Sequence, residues 1–355
     1  MTSQSLRIAM IAPPWFEIPP KGYGGIELVS ATLTNALVKR GHYVTLISAG
    51  INGTTAHHFQ TFSSPQTDHI WETLPESIHL AMAQGILTED SFDIVHDHTL
   101  AGALCAPWRP IPTVITVHGP VDGEFGDYYS ALGEKAKIIA LSQAQLMKRP
   151  SLNWVGTVHN GINIEKFPFS PHPGDYALWL ARYHPEKGPD LAIEICRQAK
   201  MPLVMAGKLN ERLEKEYFDD VVKPLAAKAD VELLANVNRE QVVDLLGKAK
   251  CLLHPARFWE PCPGAVIEAL ACGNPVVGTR KGAIPEIVED TVTGWLHDDP
   301  AILAELIHRV DEIDRQACRA RAERLFSADA MAEGYEKIYL HTIAEQRATT
   351  EQRGR

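Results

Sequence analysis

A short apolar run that stops at a polar or glycine residue, followed by a longer segment with helical spacing, recurs along this chain and constrains its fold more than any other feature. The first run, residues 6–11, stops at Ala12-Pro13-Pro14. The Gly-rich turn Lys21-Gly22-Tyr23-Gly24-Gly25 comes next, and then a helical pattern from Ile26 to about Arg40, with Leu28, Ala31, Leu33, Ala36 and Leu37 on one broad face. Gly41-His42 ends it, and residues 43–47 are the next run. Runs this short and this apolar suit strands buried on both faces, with the helices between them as the cover. A strand, a glycine loop, a helix and a strand in that order open a doubly wound parallel sheet.

The series continues. Residues 92–95 lead into His96-Asp97-His98, 113–117 into His118-Gly119, 137–141 to Ser142, and 154–158 into His159-Asn160-Gly161. The stretch 168–175, rich in Pro, Gly and His, reads as an interdomain linker. A second series runs through 177–180, 203–206, 231–234, 251–254, 275–278 and 294–296. With 355 residues the chain is long for one core. The expected fold class is therefore α/β, two Rossmann-like doubly wound parallel-sheet domains. The expected division is 1–167, 168–330, and a C-terminal segment 331–355. In that segment residues 331–344 read as a helix with Tyr335, Ile338 and Tyr339 on one face, and a tail frays from Glu345.

Composition narrows the function classes. The net charge of −10 disfavours nonspecific binding to nucleic acid or anionic lipid. Cys105, Cys196, Cys251, Cys262, Cys272 and Cys318 form no CxxC pair and read as free thiols of a reducing compartment. No signal-peptide pattern opens the chain, and no apolar stretch has the length of a membrane span, so the expected location is the cytoplasm with no integral membrane segment.

Ligand groups collect beyond the carboxyl ends of parallel strands. Arg182 and Lys187 come after the run 177–180 and precede a helix that begins at Pro189, where a helix N-terminus favours anions. Two fixed cations there suit a diphosphate, whose charge must be neutralised as it leaves; the alternative is an exposed basic loop. Glu260 sits in a Pro-rich loop and Glu268 in an apolar run that reads as a helix from near Gly264. A carboxylate within such a run needs a partner. A ligand hydroxyl is one candidate, and a capping or ion-paired glutamate is the other.

Taken in order, these segments resemble the family-four retaining glycosyltransferases of GT-B fold, also called group 1. Tyr23-Gly24-Gly25-Ile26-Glu27 is similar to their N-terminal glycine loop. Val158-His159-Asn160-Gly161-Ile162-Asn163 is similar to the segment that opens their interdomain crossing. Arg182 with Lys187-Gly188 resembles their diphosphate-binding pair, and Glu260 through Glu268 their two-glutamate motif. Ala271-Cys272-Gly273-Asn274-Pro275-Val276-Val277 and Gly282-Ala283-Ile284-Pro285-Glu286-Ile287-Val288 resemble the family's segments on the C-terminal side of that motif.

The resemblance implies two domains facing a central cleft, the first on the acceptor side and the second binding the donor, with the helix over 331–344 packing back on the first. It implies transfer of a hexose from a nucleotide-diphosphate sugar, a UDP-sugar such as UDP-glucose before a GDP-sugar, with retention, to an unidentified small-molecule, glycan or lipid-linked hydroxyl. It assigns the ribose to Glu268, the transferred sugar to Glu260 and His118, and the diphosphate to Arg182 and Lys187. Gly24 and Gly25 admit the phosphate or sugar, and Cys262, Pro263, Gly264 and Ala265 line the donor. Ala181, Cys262 and Pro263 depart from the family pattern, which has glycine, an aromatic residue and glycine there. Because proline has no N–H, a backbone contact to the sugar is lost or moved.

No Asp-x-Asp motif is present, so no metal and no cofactor are expected. A metal site at His96, Asp97 and His98 is the competing reading of that strand end. Other readings are a GT-B epimerase or phosphorylase, a sugar-binding protein without activity, and a dinucleotide-dependent oxidoreductase. The last lacks a full glycine fingerprint: Gly22-x-Gly24 fits its start, and Glu27 stands where the third glycine would be.

Overall fold

The computed structural model describes residues 5–22, 24–70 and 72–353, in two units. One comprises Met1–Gly161 with Ala328–Arg355, the other Ile162–Ser327. Tyr23 of the glycine turn and the last two residues of the expected tail lie outside the described residues.

In the first unit the strands are β1 (Arg7–Ile11), β2 (Tyr43–Ser48), β3 (His57–Gln60), β4 (Ile94–Asp97), β5 (Thr113–Thr116), β6 (Lys137–Ala140) and β7 (Trp154–Thr157). They lie in the order β3-β2-β1-β4-β5-β6-β7, with all pairings parallel. Ile8 pairs with Val44 on one side and Ile94 on the other, so β1 is central and its apolar residues are fully buried. Strand order reverses between β1 and β4, the switch point where such sheets leave room for a ligand. The helix Gly25–Lys39 buries Ala31, Leu33, Ala36 and Leu37, as its spacing predicts, and leaves Leu28 half-buried. Gly24 precedes it at φ 146°, and a Cβ there would lie 2.9 Å from the Pro20 side chain, so only glycine fits.

The helix Ala328–Arg353 completes this unit. It sets Met331, Tyr335, Tyr339 and Ile343 in one core with Ile8, Met10 and Leu37. Arg40 and His42 both reach Glu336, the latter at 2.7 Å. The frayed tail expected from Glu345 is corrected: the helix runs to Arg353. Lys137 pairs with Glu345 at 2.6 Å and Gln346 donates to Pro110 O at 2.7 Å, in a stretch of good helix formers. Two stretches between the apolar runs also carry structure. Residues 49–74 include β3, and residues 120–133 include the helix Gly123–Leu132.

The second unit holds β8 (Ala177–Leu180), β9 (Leu203–Gly207), β10 (Val231–Ala235), β11 (Cys251–His254), β12 (Val276–Gly278) and β13 (Gly294–Leu296). Their order is β10-β9-β8-β11-β12-β13, again parallel, with the switch between β8 and β11. Residues 168–175, read from composition as a linker, belong to this unit. Ser170 N donates to Cys272 O at 2.9 Å, and the buried Arg315 donates to Ser170 O at 2.7 Å. Among the described residues no helix is long and apolar enough to cross a membrane.

Candidate functional site

At the switch point of the second unit, the chain leaving β8 is pinned by Tyr183. Its ring is fully buried and its hydroxyl lies 2.8 Å from Met205 O. A short turn, Pro185–Lys187, and Gly188 at φ 65° lead into the helix Pro189–Ala199. A Cβ on Gly188 would sit 2.3 Å from Pro255 O, so this turn and the segment after β11 are pressed together.

That contact sets Lys187 against Glu260. The Lys187 ammonium pairs with Glu260 Oε1 and lies 4.5 Å from the centre of the Phe258 ring. Glu260 Oε2 lies 2.5 Å from His254 Nε2. Burial, with the Lys187 charge beside it, pushes His254 down to about 3. His254 is thus neutral, and its Nε2–H donates to the carboxylate. Burial and the Arg182 charge push Lys187 down to about 7, against the pull of Glu186. The Glu260 backbone is held as well, by Ala283 N donating to Glu260 O at 2.9 Å.

Arg182 lies 3.4 Å from Glu214 Oε1 and keeps about a quarter of its side chain exposed. Glu214 also accepts from Asn210 N and Glu211 N at the start of the helix Arg212–Tyr217. Glu268, in the helix Gly264–Ala271, is buried, and its Oε1 accepts from Arg239 at 2.6 Å. Arg239 also stacks over Phe167, 5.1 Å from the ring centre. Pro263 stands at the N-cap position without a side-chain cap, with Cys262 just before it. Gly264 and Ala265 open the helix, so their N–H groups have no acceptor within it, and the space beyond Gly264 is open.

Sequence reasoning missed His254 and Arg239. A histidine at the end of a strand, six residues before Glu260, was the available signal for the first. Arg239 sits beside a capping box, Asn238 with Gln241, and nothing in its neighbourhood marks it as a partner of Glu268.

In the first unit, Gly24 and Gly25 start the helix Gly25–Lys39. Glu27, buried in its first turn, is pushed up to about 7 by burial. His118 lies just beyond β5 and is half-buried, and burial pushes it down to about 4. Its Nε2 lies 2.8 Å from His98 Nδ1. His96 is fully buried between Tyr339 OH at 2.6 Å and Thr116 Oγ1 at 2.7 Å. Asp97 pairs with Arg109 at 2.9 Å and accepts from Thr99 N and Oγ1. Those partners tie His96 and Asp97 to the scaffold. Among the described residues no group of three His, Cys, Asp or Glu is placed to hold a metal ion.

The expected residues thus fall into two sets. Arg182, Lys187, Glu260, Glu268 and residues 262–265 gather on the second unit, and Gly24, Gly25 and His118 on the first.

Residues 163–324 match the family described as glycosyl transferases group 1, and residues 23–166 that described as glycosyltransferase family 4. An uncharacterized glycosyltransferase of Methanocaldococcus jannaschii is 26% identical, over 86% of this chain and 89% of that protein. The phosphatidylinositol N-acetylglucosaminyltransferase gpi3 subunit of Schizosaccharomyces pombe is 24% identical, over 89% of this chain and 77% of that protein. The crystal structure of a glycosyltransferase involved in avilamycin A biosynthesis aligns with a TM-score of 0.73 and 25% identity, over 96% of this chain and 98% of that one.

Proposed function

Because the chain belongs to the group 1, family 4 glycosyltransferases, with two Rossmann-like parallel-sheet domains of the GT-B fold, we propose that it is a retaining hexosyltransferase using a nucleoside-diphosphate sugar. A UDP-sugar is favoured and a GDP-sugar is next. The observation that supports this reading is the convergence of Arg182, Lys187 and Glu260 where β8 and β11 end, with Glu268 in the helix beyond them.

Arg182 and Lys187 hold the diphosphate. As the bond from the sugar's anomeric carbon to oxygen breaks, its electron pair passes to the diphosphate, and the two cations stabilise that charge. An acceptor hydroxyl oxygen bonds to the same face of the anomeric carbon, and its proton goes to the released diphosphate. The protein's cations serve where other enzymes use a metal ion. Glu260 already accepts from Lys187 and His254. A carboxylate has further lone pairs, so it can also take a sugar hydroxyl. Glu268 takes the ribose hydroxyls, sharing its carboxylate with Arg239. Cys262, Pro263, Gly264 and Ala265 line the donor, and the unpaired N–H groups at Gly264 and Ala265 stand in for the contact Pro263 cannot make. Gly24, Gly25 and His118 serve the sugar and phosphate from the first unit, the acceptor side, and the enzyme works in the cytoplasm on a small-molecule, glycan or lipid-linked hydroxyl.

The test is a screen of UDP-, GDP- and ADP-sugars by calorimetry, followed by mass analysis of products with candidate acceptors. Release of a nucleoside diphosphate with a glycosylated product of retained anomeric configuration supports the reading. An epimerised sugar without acceptor, a sugar phosphate, binding of a nicotinamide cofactor in place of the nucleotide, or activity lost to a chelator and restored by Mn²⁺ contradicts it.

A further inference from the structure

His118 is given to the sugar under the function proposed above, and the structure goes further, to the atom that His118 presents. Three imidazoles lie next to one another where β4 and β5 end. The His96 and His98 ring centres are 4.0 Å apart, and those of His98 and His118 are 5.1 Å apart. Burial pushes all three below the usual histidine range, and for His96 and His98 the neighbouring imidazoles add to it. Each ring is therefore neutral, with one N–H and one lone pair.

The surroundings of His98 decide which nitrogen carries the hydrogen. His98 Nε2 lies 3.1 Å from Met10 Sδ. A thioether has lone pairs and no hydrogen to give, so the contact attracts only if His98 Nε2 bears the hydrogen. His98 Nδ1 is then a bare acceptor. It lies 2.8 Å from His118 Nε2, which must supply the hydrogen between them. What remains on His118 is the lone pair of Nδ1. His118 is half-buried, and no hydrogen bond from Nδ1 to another described residue is present.

We propose that His98, oriented by Met10, is a positioning residue that locks His118 in its Nε2–H form, so that His118 offers the ligand an acceptor only and selects a hydroxyl hydrogen. A sugar hydroxyl satisfies that lone pair. A carboxylate or phosphate oxygen meets it lone pair to lone pair and is rejected, which favours a neutral hexose over a hexuronic acid.

The experiment is long-range ¹⁵N–¹H spectroscopy of the full chain with labelled histidines at pH 7, combined with kinetics on UDP-glucose and UDP-glucuronate. The spectra need no ligand, so the lock and the sugar reading can fail separately. His98 and His118 are both expected as Nε2–H tautomers. His98→Asn places an acceptor oxygen near the former Nδ1 and keeps the His118 tautomer. His98→Leu removes the acceptor and gives a mixture of His118 tautomers. On UDP-glucose, His98→Leu lowers kcat/KM about tenfold, the rate equivalent of one hydrogen bond. His98→Asn restores it to within about threefold, and thermal melts of both variants confirm the fold. An Nδ1–H form of His118 in the native chain, or an unchanged His118 tautomer in His98→Leu, overturns the lock. UDP-glucuronate used as well as UDP-glucose overturns the selection. No turnover of any nucleotide sugar, with both tautomers as expected, upholds the lock and removes the function assigned to the site.

Discussion

Beyond β4 and β5 the first unit gathers neutral imidazoles, whereas beyond β8 and β11 the second gathers Arg182, Lys187 and Glu260 as charges, on sheets of the same parallel order around their switch points. The topology decides where side chains meet, and the residues after each strand decide the chemistry there. Burial acts on both places with different results. In the first unit it leaves His96, His98 and His118 uncharged; hydrogen bonds to Met10, Thr116 and Tyr339 hold His96 and His98, and His118 bonds to His98 through Nε2. In the second it squeezes Lys187 while a carboxylate stays in direct contact. One place suits hydroxyl recognition, and the other suits an anion whose charge grows during reaction.

The largest expected effect separates the units by stability. Ending the chain after Ser327 removes Met331, Tyr335, Tyr339 and Ile343 from the first core and nothing from the second unit. Burying each such side chain is worth roughly 1.5–3 kcal/mol, so the loss approaches the whole stability of a typical domain, about 5–15 kcal/mol. Denaturant melts should show the transition of the first unit gone and that of the second retained. A full-amplitude transition from both units would mean that the helix Ala328–Arg353 is dispensable.

Next comes the charged cluster. Arg182→Ala or Lys187→Ala should lower kcat by on the order of a hundredfold, the usual loss when one group stabilising transition-state charge is removed. Ground-state binding, measured by calorimetry, should weaken less, because the charge on the diphosphate grows only as it leaves. Near-native turnover in both variants would place the diphosphate elsewhere.

What the sequence made legible tracks this same division. The strands stand out because buried parallel strands are apolar throughout, and β8, β11 and β13 fall on the runs read for them. Glu260 and Glu268 stand out because carboxylates are out of place beside Pro and Ala-Leu runs. Their pairing with the residues that neutralise them does not. Arg239 is 29 residues from Glu268, and Lys187 is 73 from Glu260, so only the folded chain pairs them. The edge strand β3, His57-His58-Phe59-Gln60, has no apolar pattern and owes its form to pairing with Thr45–Ser48. The 168–175 stretch has a linker's composition, yet Arg315 and Cys272 hold it in place.

A pH profile sharpens the contrast by about tenfold per unit. The Lys187 ammonium of the free enzyme is lost as pH rises through about 7. The proposed function has the donor's diphosphate rely on that charge, so kcat/KM should fall about tenfold per pH unit above this value. His118 and His254, at about 4 and about 3, stay neutral throughout and add no slope. Lys187→Arg keeps its charge at all these pH values and should flatten the profile. A decline that survives Lys187→Arg would assign the titration to another group.

Glu268→Ala should raise the donor KM about tenfold and leave kcat unchanged, since the ribose that the proposed function assigns to it does not alter during reaction. A fall in kcat of the same size would move Glu268 from the ribose to the reacting sugar.

The smallest effect is expected at Arg239. Its side chain is nearly half exposed, its Glu268 partner is buried, and the two are joined at 2.6 Å. Ion pairs with an exposed member are weak, about 0–1 kcal/mol, because water and salt screen them. Stacking on Phe167 adds to the hold on Arg239 without tying it to Glu268 alone. Donor ribose hydroxyls can join Glu268 through its second oxygen, so Arg239 need not leave for the donor to bind. Arg239→Ala therefore changes two opposing things: it frees one carboxylate oxygen for the ribose, and it leaves a buried carboxylate less compensated until the donor arrives. The expected net result is a donor KM within about fivefold of native and an unchanged kcat, because neither group touches the bond that breaks. The KM should also lose part of its salt dependence, since the screened pair is gone. A tenfold or greater loss of kcat in Arg239→Ala would make this arginine part of the charge-stabilising set with Arg182 and Lys187, and the second unit's cluster would then extend from the end of β8 to the start of the helix Arg239–Lys248.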